Sequence, residues 1–300
     1  MTAAAPGLAE LPRRDGMRKN LAFRKGREAG GRFISQQEDS GLTEEERAGI
    51  ARLLRSENRE VYESLEHPIV LGKSFYRDHV KRLLDIALSL TAVIVTAPVN
   101  LVLFIGTLID VGFPVFFCQE RIGKGGKAFR MVKFRNMTNE VDERGTLLLP
   151  EQRVTKWGRF VRSASMDELL NFWSVLKGDM SIIGPRPLPE KYRRRFTRKY
   201  DQRHLVRPGL DCPAMPGAAS GDGWQGRFDN DLWYVGHVSF LTDARMCLLL
   251  VKKAFSKSER GESAEGRHGE FLGFDKNGQV VDSYRVKRET AERVSGRGLP

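Results

Sequence analysis

Asp167 and Glu168 are adjacent carboxylates within residues 161–187, which read VRSASMDELLNFWSVLKGDMSIIGPRP. Arg162 stands one turn upstream. Arg186 stands between Pro185 and Pro187, and the two rings limit the backbone freedom of the loop that carries it. Arginine binds phosphate oxygens through its planar fork. Two neighbouring carboxylates beside a diphosphate suit Mg²⁺, which binds through one or two carboxylates plus phosphate and keeps several waters. A carboxylate can also attack phosphorus and form an acyl phosphate. These residue types at this spacing point to phosphoryl-group chemistry. A purely structural use is open as well. Ser165 and Glu168 fit a capping box for a helix beginning at Met166, with the acidic first turn complementing the helix dipole. Spacing alone suits that use. The neighbouring arginines, and the attraction of a helix N-terminus for phosphate, suit the chemistry.

The elements that must hold these residues follow from pattern. Residues 169–176 supply an apolar helical face through Leu169, Leu170, Phe172, Trp173 and Leu176. Upstream, residues 86–109 form an uncharged run of 24 residues, IALSLTAVIVTAPVNLVLFIGTLI. As a straight helix it would measure about 36 Å, against a hydrocarbon core of about 30 Å. Three features argue against a simple crossing. Pro98 removes a backbone donor in mid-run and kinks the helix. Asn100 is costly in lipid unless paired. Both flanks are basic, with Arg77, Lys81 and Arg82 before the run and Arg121, Lys124, Lys127, Arg130, Lys133 and Arg135 after it, which holds both ends in the cytoplasm. A re-entrant membrane helix bent at Pro98 satisfies all three; an ordinary kinked span is the alternative.

The chain has 300 residues and a formal net charge of +12, which suits an anionic partner. Cys118, Cys212 and Cys247 show no paired spacing, so neither a zinc site nor a disulfide framework is indicated, and a reducing cytoplasmic setting is expected. Residues 1–41 read as a basic, mobile arm without a secretory h-region. A helix is expected from Thr43, with Glu46 completing a capping box and Ile50, Leu53 and Leu54 on its apolar stripe, ending before His67-Pro68. Residues 115–117 and 128–134 suggest strands joined by the glycine-rich loop 123–127, a hairpin turn rather than a phosphate loop. Tyr192, Phe196 and Tyr200 recur every four residues in a strongly basic segment. They suit one face of a core helix, and the basic residues suit anionic headgroups. No nucleic-acid-binding signature accompanies them, so nucleic acid is not expected as a partner. Residues 240–255 form a last apolar helix, core or interfacial. His204 and His237 have no metal-ligand companions. Residues 257–300 read as a polar tail with a hairpin around Asp275-Lys276-Asn277-Gly278 and no assigned chemistry.

Ordered blocks give the chain a resemblance. They are K-R-x-x-D at 81–85, the apolar run with Pro98, Q-E-R-I-G at 119–123, K-F-R-N-M at 133–137 and R-S-x-S-M-D-E-L at 162–169. G-D-M-S-I-I-G-P-R-P at 178–187, R-P-G at 207–209 and D-x-x-Y-V at 231–235 follow. Over residues 81–255 the chain resembles the bacterial sugar transferases, monotopic enzymes that start glycan assembly on undecaprenyl phosphate. The resemblance implies an α+β, mostly helical catalytic domain with one N-terminal re-entrant membrane helix. The expected divisions are an N-terminal extension (1–78), the membrane helix and start of the core (79–118), the cytoplasmic catalytic domain (119–256) and the tail (257–300).

It also implies transfer of a sugar phosphate from a UDP-sugar to undecaprenyl phosphate with release of UMP, at the cytoplasmic face of the inner membrane. Asp167 would be the nucleophile. Glu168 would support it through metal or proton handling, with Mg²⁺ as cofactor held by both carboxylates. Arg162, Arg186, Lys133, Arg135 and Arg207 would bind substrate phosphates. Membrane lipids and other glycan-assembly proteins are the further partners implied. The chain departs from the family pattern at residues 210–220, LDCPAMPGAAS, and in having Thr96-Ala97 before Pro98. The first departure leaves room for a catalytically impaired scaffold.

Overall fold

The computed structural model describes residues 42, 44–143, 145, 148, 150–215, 223–255 and 269–286. The Thr43 cap, the basic arm and most of the tail lie outside them. Among the described residues helices dominate, and the strands form three separate two-stranded sheets, so the architecture is α+β and mostly helical.

The N-terminal extension contributes α1 (Glu44–Glu57) and the short α2 (Arg59–Glu63). Of the expected stripe on α1, Leu53 stays partly exposed, and Ala51 is the residue that becomes buried. A π-helical turn (Tyr76–Val80) leads into α3 (Lys81–Val111). This helix is long and apolar enough to cross a membrane. Its leucines, isoleucines and valines, such as Leu83, Ile94, Val95, Leu101, Val102 and Ile109, are largely exposed.

α3 continues through Pro98 as a single helical element. The Thr96 hydroxyl donates to the Ala92 carbonyl at 2.7 Å and accepts from Asn100 Nδ2 at 3.2 Å. That carbonyl is not the one left without a donor by Pro98, which belongs to Ile94, four residues back. Asn100 is therefore paired through its amide nitrogen, while its Oδ1 is buried without a partner.

The two ends of α3 hold the same body. Near the start, Arg82 donates to the Val175 and Leu176 carbonyls at 2.6 and 2.7 Å. Asp85 accepts from Ser181 Oγ and the Ile182 amide at 3.1 and 3.0 Å. Near the end, Trp157 Nε1 donates to Thr107 Oγ1 at 3.3 Å and Thr155 Oγ1 to Asp110 at 2.5 Å. Gly106 allows the second approach, because a Cβ there would overlap the Trp157 indole.

An antiparallel hairpin follows, β1 (Phe116–Ile122) and β2 (Ala128–Phe134), with Phe116 opposite Phe134 and Ile122 opposite Ala128. The first strand is longer than its apolar start suggests, because Gln119, Glu120 and Arg121 continue the ladder. Next come α4 (Pro150–Arg153), α5 (Lys156–Ser163), a 3₁₀ turn (Met166–Glu168) and α6 (Asn171–Lys177). β3 (Ser181–Ile183) pairs in parallel with β4 (Gly209–Asp211), with α7 (Arg198–Asp201) between them in sequence. Gly184 and Gly209 face each other so closely that a Cβ on either would strike the other's backbone. This contact joins the G-P-R-P and R-P-G segments.

The chain then forms α8 (Gly223–Gly236), α9 (Phe240–Phe255) and the hairpin β5 (Phe271–Phe274) with β6 (Val280–Asp282). Both the last apolar helix and the terminal hairpin lie where their patterns place them.

Two sequence expectations need correction. Residues 191–207 are not one helix: a 3₁₀ stretch (Glu190–Arg195), α7 and a second 3₁₀ stretch (Gln202–Leu205) are separated by extended backbone at Phe196 and Thr197. Thr197 caps α7 by accepting from the Tyr200 amide at 3.3 Å, so the chain restarts there. Tyr192, Phe196 and Tyr200 are nevertheless core residues, packed with Tyr62, Trp224, Phe228, Phe271 and Phe274. The Ser165–Glu168 capping box does not form. Ser165 has left-handed backbone (φ 54°) and makes no side-chain cap. It is used to reverse the chain between α5 and the 3₁₀ turn, and α6 proper begins only at Asn171. The helix N-terminus expected at Met166 to attract phosphate is thus replaced by a three-residue turn.

Candidate active site

The 3₁₀ turn carries Asp167 and Glu168 between the end of α5 and the start of α6. Its backbone is tied by the Ser165 amide to the Arg162 carbonyl (2.9 Å) and by the Glu168 amide to the Ser165 carbonyl (3.3 Å). Met166, Leu169 and Leu170 on either side pack against the cluster of Leu103, Val115, Phe134 and Val161. The apolar neighbours thus root the turn on α3 and β2, and the two acids project from it.

Glu168 does not reach back to Ser165 because two cations hold it. Lys133 Nζ, from β2, donates to Glu168 Oε1 at 2.6 Å, and Arg186 Nη2 donates to the same oxygen. Burial pushes the Glu168 carboxyl up, but the charges and hydrogen bonds of Arg186 and Lys133 outweigh it and bring the pKa down to about 2. Glu168 is therefore a fixed anion. Asp167 behaves oppositely. It is 9% exposed, and burial raises its pKa, with the adjacent Glu168 charge adding to the rise and Lys133 and Arg162 opposing it. Its one hydrogen bond to a described side chain is a long one, from Asn136 Nδ2 at 3.5 Å.

Arg162, in the last turn of α5, is exposed. It is near enough to act on the Asp167 charge, yet makes no ion pair or side-chain hydrogen bond with any described residue. Of the five expected phosphate-binding cations, Lys133, Arg186 and Arg162 thus meet around the carboxylates. The other two are engaged elsewhere. Arg135 donates to the Val111 and Gly112 carbonyls, closing the C-terminus of α3. Arg207 Nε donates to the Gly178 carbonyl at 3.0 Å. Both serve the backbone, and neither donates to Asp167 or Glu168.

The loop that carries Arg186 is held at four successive carbonyls. Pro185 accepts from the Gly209 amide (3.1 Å) and Leu188 from the Ile122 amide (2.9 Å). Arg186 accepts from Arg203 Nη2 (2.9 Å) and Pro187 from Arg121 Nη1 (3.2 Å). Arg186 Nη1 also donates to the Leu210 carbonyl at 3.2 Å. The divergent segment therefore meets the site through backbone at its first residue, which any side chain there would allow. Residues 216–220 lie outside the described part.

Sequence reasoning left Asn136, Arg121 and Arg203 without a role at the site. The first two sit inside quoted blocks, and Arg203 lies four residues before the R-P-G block. Nothing in their spacing separates them from other polar residues.

The donor set bears on Mg²⁺. No group of three or more His, Cys, Asp or Glu side chains suited to a metal occurs among the described residues. Asp167, its charge disfavoured by burial, and Glu168 Oε2, which has no described partner, are the available donors. Two carboxylates fit an ion that takes its remaining ligands from water and phosphate. A groove of about 1060 Å³ lies elsewhere, between the end of α8 and α9, lined by Trp233, His237, Leu241, Arg245, Leu248 and Lys252 among others.

The model of the family described as "Bacterial sugar transferase" matches residues 76–257. The chain belongs to the bacterial sugar transferase family. Among similar proteins, the uncharacterized sugar transferase EpsL of Bacillus subtilis is 40% identical over 174 residues, covering 58% of this chain and 86% of EpsL. The UDP-N-acetylgalactosamine-undecaprenyl-phosphate N-acetylgalactosaminephosphotransferase of Aeromonas hydrophila is 35% identical over 172 residues, 55% of this chain and 41% of that protein. The UDP-glucose:undecaprenyl-phosphate glucose-1-phosphate transferase of Klebsiella pneumoniae is 36% identical over 191 residues, 58% of this chain and 40% of that protein. The chain thus spans about two fifths of the latter two relatives. The matched family region contains α3, both carboxylates and all three cations around them. α1, α2 and the β5–β6 hairpin lie outside it.

Proposed function

We propose that this sugar transferase moves a phosphosugar from a UDP-sugar to a polyprenyl phosphate by way of a covalent intermediate on Asp167. The observation that carries the reading is the pair of neighbouring carboxyls with opposite shifts, one neutralised by two cations and one left basic beside an unspent arginine. The names of the Aeromonas and Klebsiella relatives supply the substrate class.

In the first step an Asp167 carboxylate oxygen attacks the β-phosphorus, the one bonded to the sugar. The bond from that phosphorus to the bridging oxygen breaks, and UMP leaves with the electron pair. In the second step an oxygen of the polyprenyl phosphate attacks the same phosphorus. The Asp167–phosphorus bond breaks, giving the polyprenyl diphosphosugar and the free carboxylate. The raised basicity of Asp167 favours it as nucleophile. Arg162 and Arg186 hold the transferred phosphate, and Glu168 keeps Lys133 and Arg186 in place. Asp167 and Glu168 Oε2 would hold Mg²⁺, which would neutralise diphosphate charge when bound.

α3 is read as a re-entrant helix in the inner membrane with the site on the cytoplasmic face. Attachment of both its ends to one body supports this, since a helix ending on opposite sides of a bilayer could not be so held. Basic flanks on both sides agree. The scaffold alternative rests on residues 210–220 alone.

The test is single-turnover. Purified protein with a panel of UDP-sugars and Mg²⁺, without lipid, should release about one equivalent of UMP per active site. It should leave a phosphosugar on the peptide containing Asp167, visible by mass spectrometry. UMP release that strictly needs polyprenyl phosphate would replace the covalent route with direct attack by the lipid. No release with or without lipid would favour the scaffold.

A further inference from the structure

The ion pair Arg203–Asp231 is the most deeply buried one described, with both side chains 1% exposed. Arg203 Nε and Nη2 donate to Asp231 Oδ2 at 3.0 and 2.6 Å. The guanidinium lies against the rings of Phe196 and Phe228, 5.6 Å from each centroid. A buried pair of this kind is weak evidence for stability, because well-packed apolar residues often do as well. Its distinguishing contact is the third one, from Nη2 to the Arg186 carbonyl at 2.9 Å.

That carbonyl is an unusual handle. The peptide joining Arg186 to Pro187 has no N–H, so the Arg186 oxygen is the single hydrogen-bonding group through which it can be fixed. Orienting this peptide plane orients the residue whose other end reaches Glu168. We propose that Arg203, held by Asp231, is a positioning residue that aims Arg186 at the substrate phosphate. The inference rests on the phosphosugar-transfer reading for its consequence in turnover, though not for its structural content.

The clamp also receives support from outside the family-matched region. Phe271 of β5 packs on both Phe196 and Phe228, with centroid separations of 5.4 and 5.1 Å. Those are the two rings that Arg203 lies against. The terminal hairpin therefore buttresses the clamp at one remove, through these aromatic contacts.

The experiment compares wild type, Arg203→Lys, Arg186→Lys and the double variant in lipid nanodiscs. Lysine keeps the charge toward Asp231 but loses the planar fork that serves two acceptors. Side-chain Nε–Hε relaxation of ¹⁵N-labelled arginine should show Arg186 loosened in Arg203→Lys. Arg82, bonded to the Val175 and Leu176 carbonyls, should remain rigid as internal control. This readout needs no substrate, so it stands even if no UDP-sugar is turned over. In UMP release, Arg203→Lys should lower kcat/KM about 10-fold, and less than about 3-fold when Arg186 is already lysine, because contacting groups are non-additive.

Unchanged Arg186 mobility in Arg203→Lys, or equal fold-losses in the two backgrounds, would overturn the proposal. If Arg203→Lys does not fold, Asp231→Asn serves instead. It keeps an acceptor for Arg203 but removes the charge, and should show smaller effects of the same pattern. A loosened Arg186 in Arg203→Lys together with no UMP release from wild type would refute the transferase reading and leave the clamp standing.

Discussion

Two glutamates in this molecule sit in nearly the same surroundings and do different work. Glu168 is held by Lys133 and Arg186. Glu270, just before β5, is held by Arg47 at 3.0 Å, Lys191 at 3.0 Å and Arg195 at 2.8 Å. Burial raises both carboxyls, and in both the surrounding cations win and lower the pKa. By charge alone Glu270 has the richer cage. Yet its cations come from two elements, α1 and the 3₁₀ stretch before α7, which it fastens to the terminal hairpin. Glu168 differs in having Asp167 beside it with the opposite shift, and Arg162 close by with nothing to bind among the described residues. A cation cage around a carboxylate is a general way to keep a buried acid charged. On the proposed reading, chemistry is marked by the neighbouring group that the cage leaves unsatisfied.

The largest effect should come from that neighbour. Asp167→Asn should abolish the covalent adduct and lower turnover at least about 10³-fold, as loss of a nucleophile does elsewhere. The same change should not lower stability. A raised folded pKa means the charged form is disfavoured in the fold, so above that pKa Asp167 opposes folding. Asn should therefore raise Tm near neutral pH, with the gain fading as pH falls through the folded value. In wild type the rate should fall on the acid side with a midpoint above the ordinary 3.8 of aspartate.

The second test sets the two cages against each other. Glu168→Gln should lower kcat about 100-fold. Partial recovery at high Mg²⁺ would indicate metal holding, and a persistent loss with an altered pH profile would indicate proton handling. Glu270→Gln should leave kcat within about 2-fold while costing about 3 kcal/mol of stability, because three cations lose their anion. That is a fall in Tm of about 6–12 °C for a domain of this size. Glu270 has a lowered folded pKa, so its contribution is present above the ordinary 4.5 and is lost as pH falls through the folded value. The gap between wild type and Glu270→Gln should therefore close in acid. Equal effects of the two glutamine variants on kcat would erase the distinction drawn here.

Arg186→Lys should come next, lowering kcat/KM about 10-fold or more for about 1.4 kcal/mol lost in the transition state. Wild-type kinetics in this variant would reduce Arg186 to a loop residue. The smallest effect belongs to the structural side. Tyr62 Oη accepts from the Phe274 amide at 3.0 Å, so Tyr62→Phe should cost about 1 kcal/mol, lower Tm by about 2–4 °C and leave activity unchanged.

The sequence made the acids and the membrane element legible because both are local signals. Asp167 and Glu168 are adjacent, and residues 86–109 carry their apolar length in one run. The β1–β2 hairpin and the terminal hairpin announced themselves through their turn residues. What stayed hidden depends on pairs far apart in the chain. The Ser165 cap was misread because Glu168 is claimed by Lys133 and Arg186, 35 and 18 positions away. Arg135 and Arg207 have the right charge for phosphate but are engaged by backbone carbonyls, which no composition argument reveals. Tyr192, Phe196 and Tyr200 were rightly placed in the core on a helical period that the backbone does not follow. Burial of the three rings was enforced by partners rather than by a helix. Arg203 looked like one basic residue among many until Asp231 and the Arg186 carbonyl were seen to meet it.

The bond between Tyr62 and Phe274 joins residues 212 positions apart, and that between Arg47 and Glu270 joins residues 223 apart. Such contacts form last as a chain leaves the ribosome. At about 5–20 residues per second, β5 follows the end of α3 by roughly 160 residues, or about 10–30 s. During that interval the apolar helix is already available to lipid, while the aromatic core of Tyr192, Phe196 and Phe228 is still without Phe271 and Phe274. On the proposed membrane reading, the protein would therefore meet lipid before the rest of its body is closed. Its body would then finish folding while already tethered at the surface where the site operates.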